Sequence, residues 1–140
     1  MNKKLSEALN YQINHNFVKS NELLIELLDE QPTNAYIHYE CARNYDHLSH
    51  TYAAIFHYEQ AILLNIEENL YIPSIVKLCT YFRNLNEHQK ALSLVAHAQK
   101  NYPKNYTLKI IHQLTLYYYY KQLKAEPINN ESDCALSILH

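Results

Sequence analysis

The chain has 140 residues, the size of one domain, and no glycine. Strands and hairpins depend on turn glycines, so this argues against an all-β fold, and four prolines serve as the punctuation of a helical protein. Twelve Lys and Arg against fourteen Asp and Glu give a net charge of −2, no basic footprint for nucleic acid or a membrane surface, and no stretch approaches the ~20 apolar residues of a membrane span.

The N-terminal stretch MNKKLSEALNYQ carries charge but no apolar run of the signal-peptide kind, and it reads as an opening helix. From there the chain repeats itself. A shift of 34 residues lays Ala8 on Ala42, Tyr11 on Tyr45, Ser20 on Ala54, Leu24 on Tyr58 and Leu27 on Ala61. A further shift of 37 lays Ala42 on Cys79, Tyr45 on Phe82, Ala54 on Ala91, Tyr58 on Val95 and Ala61 on Ala98. The three additional residues belong near NIEENLYIPS, residues 65–74.

Each unit reads as two helices whose small residues permit close approach. In the second unit these are AYIHYECARNYDHL and TYAAIFHYEQAILLN. Asn14–His15–Asn16, Ser49–His50 and Asn84–Leu85–Asn86 mark turns, where asparagine is expected to take the left-handed conformation that glycine usually supplies. Pro73 is expected in the first turn of the third unit's opening helix. The segment NYTLKIIHQLTLYYYYKQLK reads as a terminal capping helix that runs to about Lys124. Strict continuation of the repeat places His112 and Gln113 at its packing positions; a slip of two places Ile110, Ile111 and Leu114 there. A polar linker, EPINNE, leads to a tail with an N-cap at Ser132 or Asp133.

The recurring small and aromatic positions, with Pro32 and Pro103 closing two units, resemble the tetratricopeptide repeat (TPR). Ala8, Ala42 and Cys79 stand where the usual glycine would be, and Ile66 where the second closing proline would be. The resemblance implies an all-α, right-handed superhelical TPR solenoid: three helix-turn-helix repeats at about 1–34, 35–68 and 72–105, a terminal helix at 105–125, and a linker and tail at 126–140. SNELLIELLDEQPTNAYIHYECARNYD and TYFRNLNEHQKAL are similar to small stand-alone bacterial TPR proteins of the group 5 type.

Such a fold implies a non-enzymatic, cytoplasmic adaptor that holds a partner peptide or helix in its concave groove. The groove residues expected are Tyr36, Tyr39, Arg43, Lys77 and Arg83, with Leu5, Leu9, Gln12, His47, Val76 and Thr80 beside them. A ligand with an apolar anchor and a carboxylate would suit them. The carboxylate clamp by which some TPR proteins hold chaperone tails is not expected. Its positions fall on Leu5, Leu9, Glu40, Pro73 and Lys77, and only Lys77 keeps the chemistry. Alternative roles are homo-oligomerisation through the tyrosine-rich terminal helix, with Tyr117 and Tyr118 as contact face, and a TPR-type secretion chaperone.

Nine histidines invite a metal or acid–base reading. His47 and His50 are three apart beside Asp46, but they straddle a turn and no local ligand set completes them. No metal, cofactor or catalytic residue is expected. Cys41, Cys79 and Cys134 form neither a CxxC nor a disulfide framework, in keeping with a reducing compartment. Cys41 and Cys79 occupy packing positions and read as small hydrophobes.

Overall fold

The computed structural model describes residues 2–125. The linker, the tail with its expected cap at Ser132 or Asp133, and Cys134 lie outside the described residues. The described residues form helices and no strand. In chain order these are α1 (Lys3–Ile13), α2 (Phe17–Glu30), α3 (Ala35–His47), α4 (Thr51–Leu63), α5 (Glu68–Asn84), α6 (His88–Asn101) and α7 (Tyr106–Ala125).

Without glycine, asparagine starts several of these helices. The side chains of Asn2, Asn16, Asn34 and Asn105 each accept a backbone N–H of the following first turn, for example Lys4 N at 2.7 Å and Leu108 N at 3.0 Å. Four helices end in one geometry, with a residue at positive φ: His15 (61°), Ser49 (61°), Asn65 (58°) and Asn86 (60°). The next residue's N–H reaches back five positions in each case: Asn16 to Tyr11 (2.8 Å), His50 to Tyr45 (2.9 Å), Ile66 to Ala61 (3.1 Å) and Glu87 to Phe82 (2.7 Å). This closes the helix end in the manner usually given to glycine. The expectation that asparagine would do so holds at Asn86, and Asn65, not among the expected turn positions, does the same. In the first turn it is His15 that takes the position, leaving Asn16 to cap α2, and in the second it is Ser49.

The chain divides into two compact units, one of residues 1–81 and one beginning at Phe82, with the boundary inside α5. In the first, α1 packs on α2, α2 on α3 and α3 on α4. Its core joins Ala8, Leu24, Leu27, Leu28, Ile37 and Cys41, with Leu5 and Leu23 packed against them. In the second, α6 packs on α7. The positions that coincide under the sequence shifts are buried in both: Ala8, Ala42 and Cys79; Ser20, Ala54 and Ala91; Leu24, Tyr58 and Val95; Leu27, Ala61 and Ala98. The aromatic position is less uniform: Phe82 is buried, Tyr45 half-buried and Tyr11 exposed.

Pro73 is not in a first turn. The three additional residues become part of an extra turn at the start of α5, which makes Pro73 its sixth residue. Proline has no N–H to return to the carbonyl of Asn69. One residue on, Ser74 is fully buried, and its hydroxyl donates to the Leu70 carbonyl at 2.8 Å.

In α7 neither expected register is adopted. Leu108 and Thr115 are the buried residues, seven apart, while Ile110 and Leu114 face solvent and Gln113 is exposed. Ile111, His112 and Tyr119 flank the stripe at partial burial. Thr115 can fill a core position because its hydroxyl donates to the Ile111 carbonyl at 2.7 Å, so no polar group is left bare. Of the four consecutive tyrosines only Tyr119 turns inward; Tyr117, Tyr118 and Tyr120 remain exposed.

Candidate functional site

Helical spacing sets Tyr36, Tyr39, Glu40 and Arg43 along one side of α3. Arg43 links the group. Its Nη1 donates to Glu40 Oε1 at 2.9 Å, and its guanidinium lies 6.0 Å from the centre of the Tyr39 ring. Tyr39 is 9% exposed and meets Tyr58 of α4 edge-on at 5.8 Å, so it offers little free surface and chiefly supports its neighbours. Tyr36 is half-buried. Burial first, and then the Glu40 carboxylate to which its hydroxyl donates, push the Tyr36 phenol up to about 12. Burial works against the charge on Arg43, but Glu40 outweighs it and holds the guanidinium above its ordinary value.

Glu40 is 4% exposed, a burial a carboxylate tolerates only when fully partnered. Besides Arg43 it accepts Gln12 Nε2 from α1 at 3.1 Å. Gln12 also donates to Asn44 Oδ1 at 2.9 Å, and Asn44 Nδ2 donates to Ser20 Oγ (2.8 Å) and Asn21 Oδ1 (2.9 Å) of α2. The expected contact residue Gln12 is thus tied into a polar network joining three helices. Sequence reasoning missed Glu40 and Asn44. Ile37, Cys41 and Asn44 follow the spacing of a buried helical stripe, and that spacing was the available signal.

Lys77, exposed on α5, is held by Asp46 of α3: Nζ to Oδ2 is 2.8 Å, and Tyr81 donates its hydroxyl to the other carboxylate oxygen. Burial alone would raise the Asp46 carboxyl, but the bonds from Lys77 and Tyr81 prevail and hold it below the usual range. His47 stacks on Phe17 with ring centres 4.3 Å apart. Tyr36, Tyr39, Arg43 and Lys77 therefore belong to the first unit, each already engaged with a neighbour.

Arg83 lies in the second unit, in the last turn of α5, with its guanidinium 5.4 Å from the Tyr118 ring centre. Tyr118 meets Tyr117 edge-on at 5.2 Å, and Lys121 Nζ lies 5.5 Å from the Tyr117 ring. Tyr119 accepts from Gln89 Nε2 of α6 at 3.1 Å.

Net charge hides a segregation between these units. Residues 1–81 carry five basic and ten acidic side chains, a net −5. Residues 82–125 carry seven basic side chains and a single acid, Glu87, a net +6.

The buried histidines form a pair. His38 Nε2 is 3.1 Å from the Pro32 carbonyl, which can only accept, so this nitrogen carries a proton. In neutral His38 the Nδ1 is then bare, and His57 Nδ1, 3.0 Å away, donates to it. Burial first, and then His38, depress His57 to about 4. Among the described residues no three His, Cys, Asp or Glu side chains are grouped so as to hold a metal ion. Cys41 and Cys79 are buried and form no disulfide, and burial pushes the Cys41 thiol up to about 12, away from reactivity. No helix among the described residues is long and apolar enough to cross a membrane.

No protein-family model matches the chain, and no curated protein matches it. Twelve chains of solved structures do. One is the crystal structure of MamA protein, a TPR-containing protein, with a TM-score of 0.62 and 20% identity over 91% of this chain and 74% of that one. At that identity the likeness carries the fold alone: the chain has an all-helical, TPR-like architecture.

Proposed function

We propose that this chain is a non-enzymatic TPR protein of three helix pairs and a terminal helix, which captures an extended peptide or a helix of a partner protein along α3. The observation that carries the reading is the Tyr36–Glu40–Arg43 group: a half-buried aromatic beside a guanidinium, anchored from behind by Gln12 and the fully buried Asn44. A preorganised aromatic and arginine pair is the composition of an interaction hot spot. Arg43 and Lys77 already hold carboxylates, so a partner's acidic group would add to or exchange with Glu40 and Asp46. The sequence resemblance to small stand-alone bacterial TPR proteins is in keeping with a cytoplasmic adaptor role. The test is capture of partners from the host lysate by the native chain beside a Tyr36→Ala/Arg43→Gln variant of unchanged helicity. The expected result is a partner held by the native chain and lost by the variant; equal retention by both would refute the assignment to α3.

A second reading is self-association through α7, favoured by the exposure of Tyr117, Tyr118 and Tyr120 beside Ile110 and Leu123. It requires solution mass to rise with concentration in the native chain and to stay monomeric in Tyr117→Ser/Tyr120→Ser. A monomer at all concentrations would dismiss it.

A further inference from the structure

A cavity of about 500 Å³ lies wholly within the second unit, where the end of α5 and the turn after it face α7. That volume is within the range of small-ligand sites. Its lining includes two full cations, Arg83 and Lys121, and no acidic side chain. Asn84, Asn86 and Gln122 add amide donors. His88 also lines it. This residue is 6% exposed, and its Nδ1 is buried without a hydrogen-bond partner among the described residues. A buried, unsatisfied ring nitrogen is costly, and a polar ligand atom relieves that cost. Leu114, Tyr118 and Ala125 supply an apolar wall. Residues 82–125 bear a net +6 with Glu87 as their single acid, and Glu87 already lies 3.7 Å from Lys90.

From this we infer that the cavity is a binding site for a carboxylate attached to an apolar group, with Arg83 and Lys121 supplying the charge, the amides and His88 the hydrogen bonds, and Leu114 and Tyr118 the apolar contact. Two cations among neutral donors, with no acid in the lining to repel it, more than offset the single charge of a carboxylate, and planar guanidinium matches planar carboxylate. The site stands on residues other than the α3 group and other than the positions at which the chaperone-tail clamp would fall. It does not depend on the α3 reading.

The direct test is an NMR titration of the full chain, following the His88 ring signals, with N-acetyl-leucine and with N-acetyl-leucinamide. The amide keeps the shape and removes the charge. We expect saturable shifts with the acid and at least ~10-fold weaker binding of the amide. Arg83→Gln and Lys121→Gln should each weaken the acid by roughly 5-fold or more, and Lys19→Gln, at an exposed lysine of the first unit, should leave it unchanged. Equal response to acid and amide, no saturable shift, or indifference to both substitutions would overturn the proposal. Tighter binding of inorganic phosphate than of N-acetyl-leucine would also overturn it, by assigning the site to phosphorylated or nucleic-acid ligands. The chain's own Glu126, Glu131 and Asp133 are a second source of carboxylate. Neutralising all three in the full chain separates the sources: tighter N-acetyl-leucine binding supports the site with its natural occupant internal, and unchanged binding supports it with an external one.

Discussion

The two units solve the problem of holding cations differently. In the first, each prominent cation has a carboxylate partner: Arg43 with Glu40, Lys77 with Asp46, and Lys4 at 3.8 Å from both Glu26 and Glu30. In the second, cations lie over aromatic rings: Arg83 with Tyr118, Lys121 with Tyr117, and Lys90 with Phe82, Lys90 having the carboxylate of Glu87 at 3.7 Å as well. A carboxylate neutralises its cation, whereas an aromatic ring orients a cation and leaves its charge available. The first unit therefore presents shaped aromatic surface and paired cations on a net −5 background, whereas residues 82–125 carry a net +6.

The largest expected effect tests the core of the second unit. Leu108→Ala should destabilise by about 3 kcal/mol, as truncation of a fully buried leucine does, whereas Ile110→Ala should cost under about 1 kcal/mol. Denaturant unfolding of the two variants decides the register of α7. The reverse order of effects would return α7 to the register that packs Ile110, Ile111 and Leu114.

Next comes pH, which acts on the first unit. His57 is depressed from 6.5 to about 4, so between those values the unfolded chain binds the proton and the native pair resists it. The contribution is fully present above about pH 6.5 and is lost as pH falls toward 4, to an extent of about 3 kcal/mol. Asp46 has a depressed carboxyl, and its contribution is lost only below the ordinary aspartate value of 3.8. Stability measured from pH 7 to 4 should fall steeply in the native chain and more shallowly in His57→Gln. Parallel curves would remove the histidine pair from the account.

Asn44→Ala removes the centre of the polar network and leaves Gln12, Ser20 and Asn21 short of a partner, at a cost of about 2 kcal/mol. Thermal unfolding checks this, and a loss below about 0.5 kcal/mol would mean that water replaces Asn44 without penalty. The smallest effects distinguish the turns. His15→Gly and Ser49→Gly should each stabilise by roughly 0.5 kcal/mol by relieving a left-handed backbone, and Asn86→Gly by less, since asparagine tolerates that conformation. Equal gains at all three would deny that tolerance.

The helical class, the recurring small positions and the second unit's helices, read as 35–48 and 51–65 and found at 35–47 and 51–63, were legible because they rest on periodicity and local capping. What escaped was decided by polar residues acting as apolar ones. Thr115 and Asn44 occupy core positions by satisfying their own hydrogen bonds, so a search for apolar stripes passed over both and misplaced the register of α7. The Pro73 expectation failed because repeat spacing does not fix where an insertion is absorbed, and an added turn before it is compatible with the same spacing. The charge contrast lay in the sequence but vanished when summed over the chain. Arg83 and Lys77 looked equivalent as basic residues of one helix. Their partners, Tyr118 and Asp46, are distant in sequence and set them apart.

The measurement that bears most directly on the central claim is amide hydrogen exchange of the full chain alone and with the partner it captures. The account predicts added protection across Ala35–His47, with Tyr36→Ala/Arg43→Gln abolishing it. Protection confined to Tyr106–Ala125, with α3 exchanging as in the free chain, would contradict it.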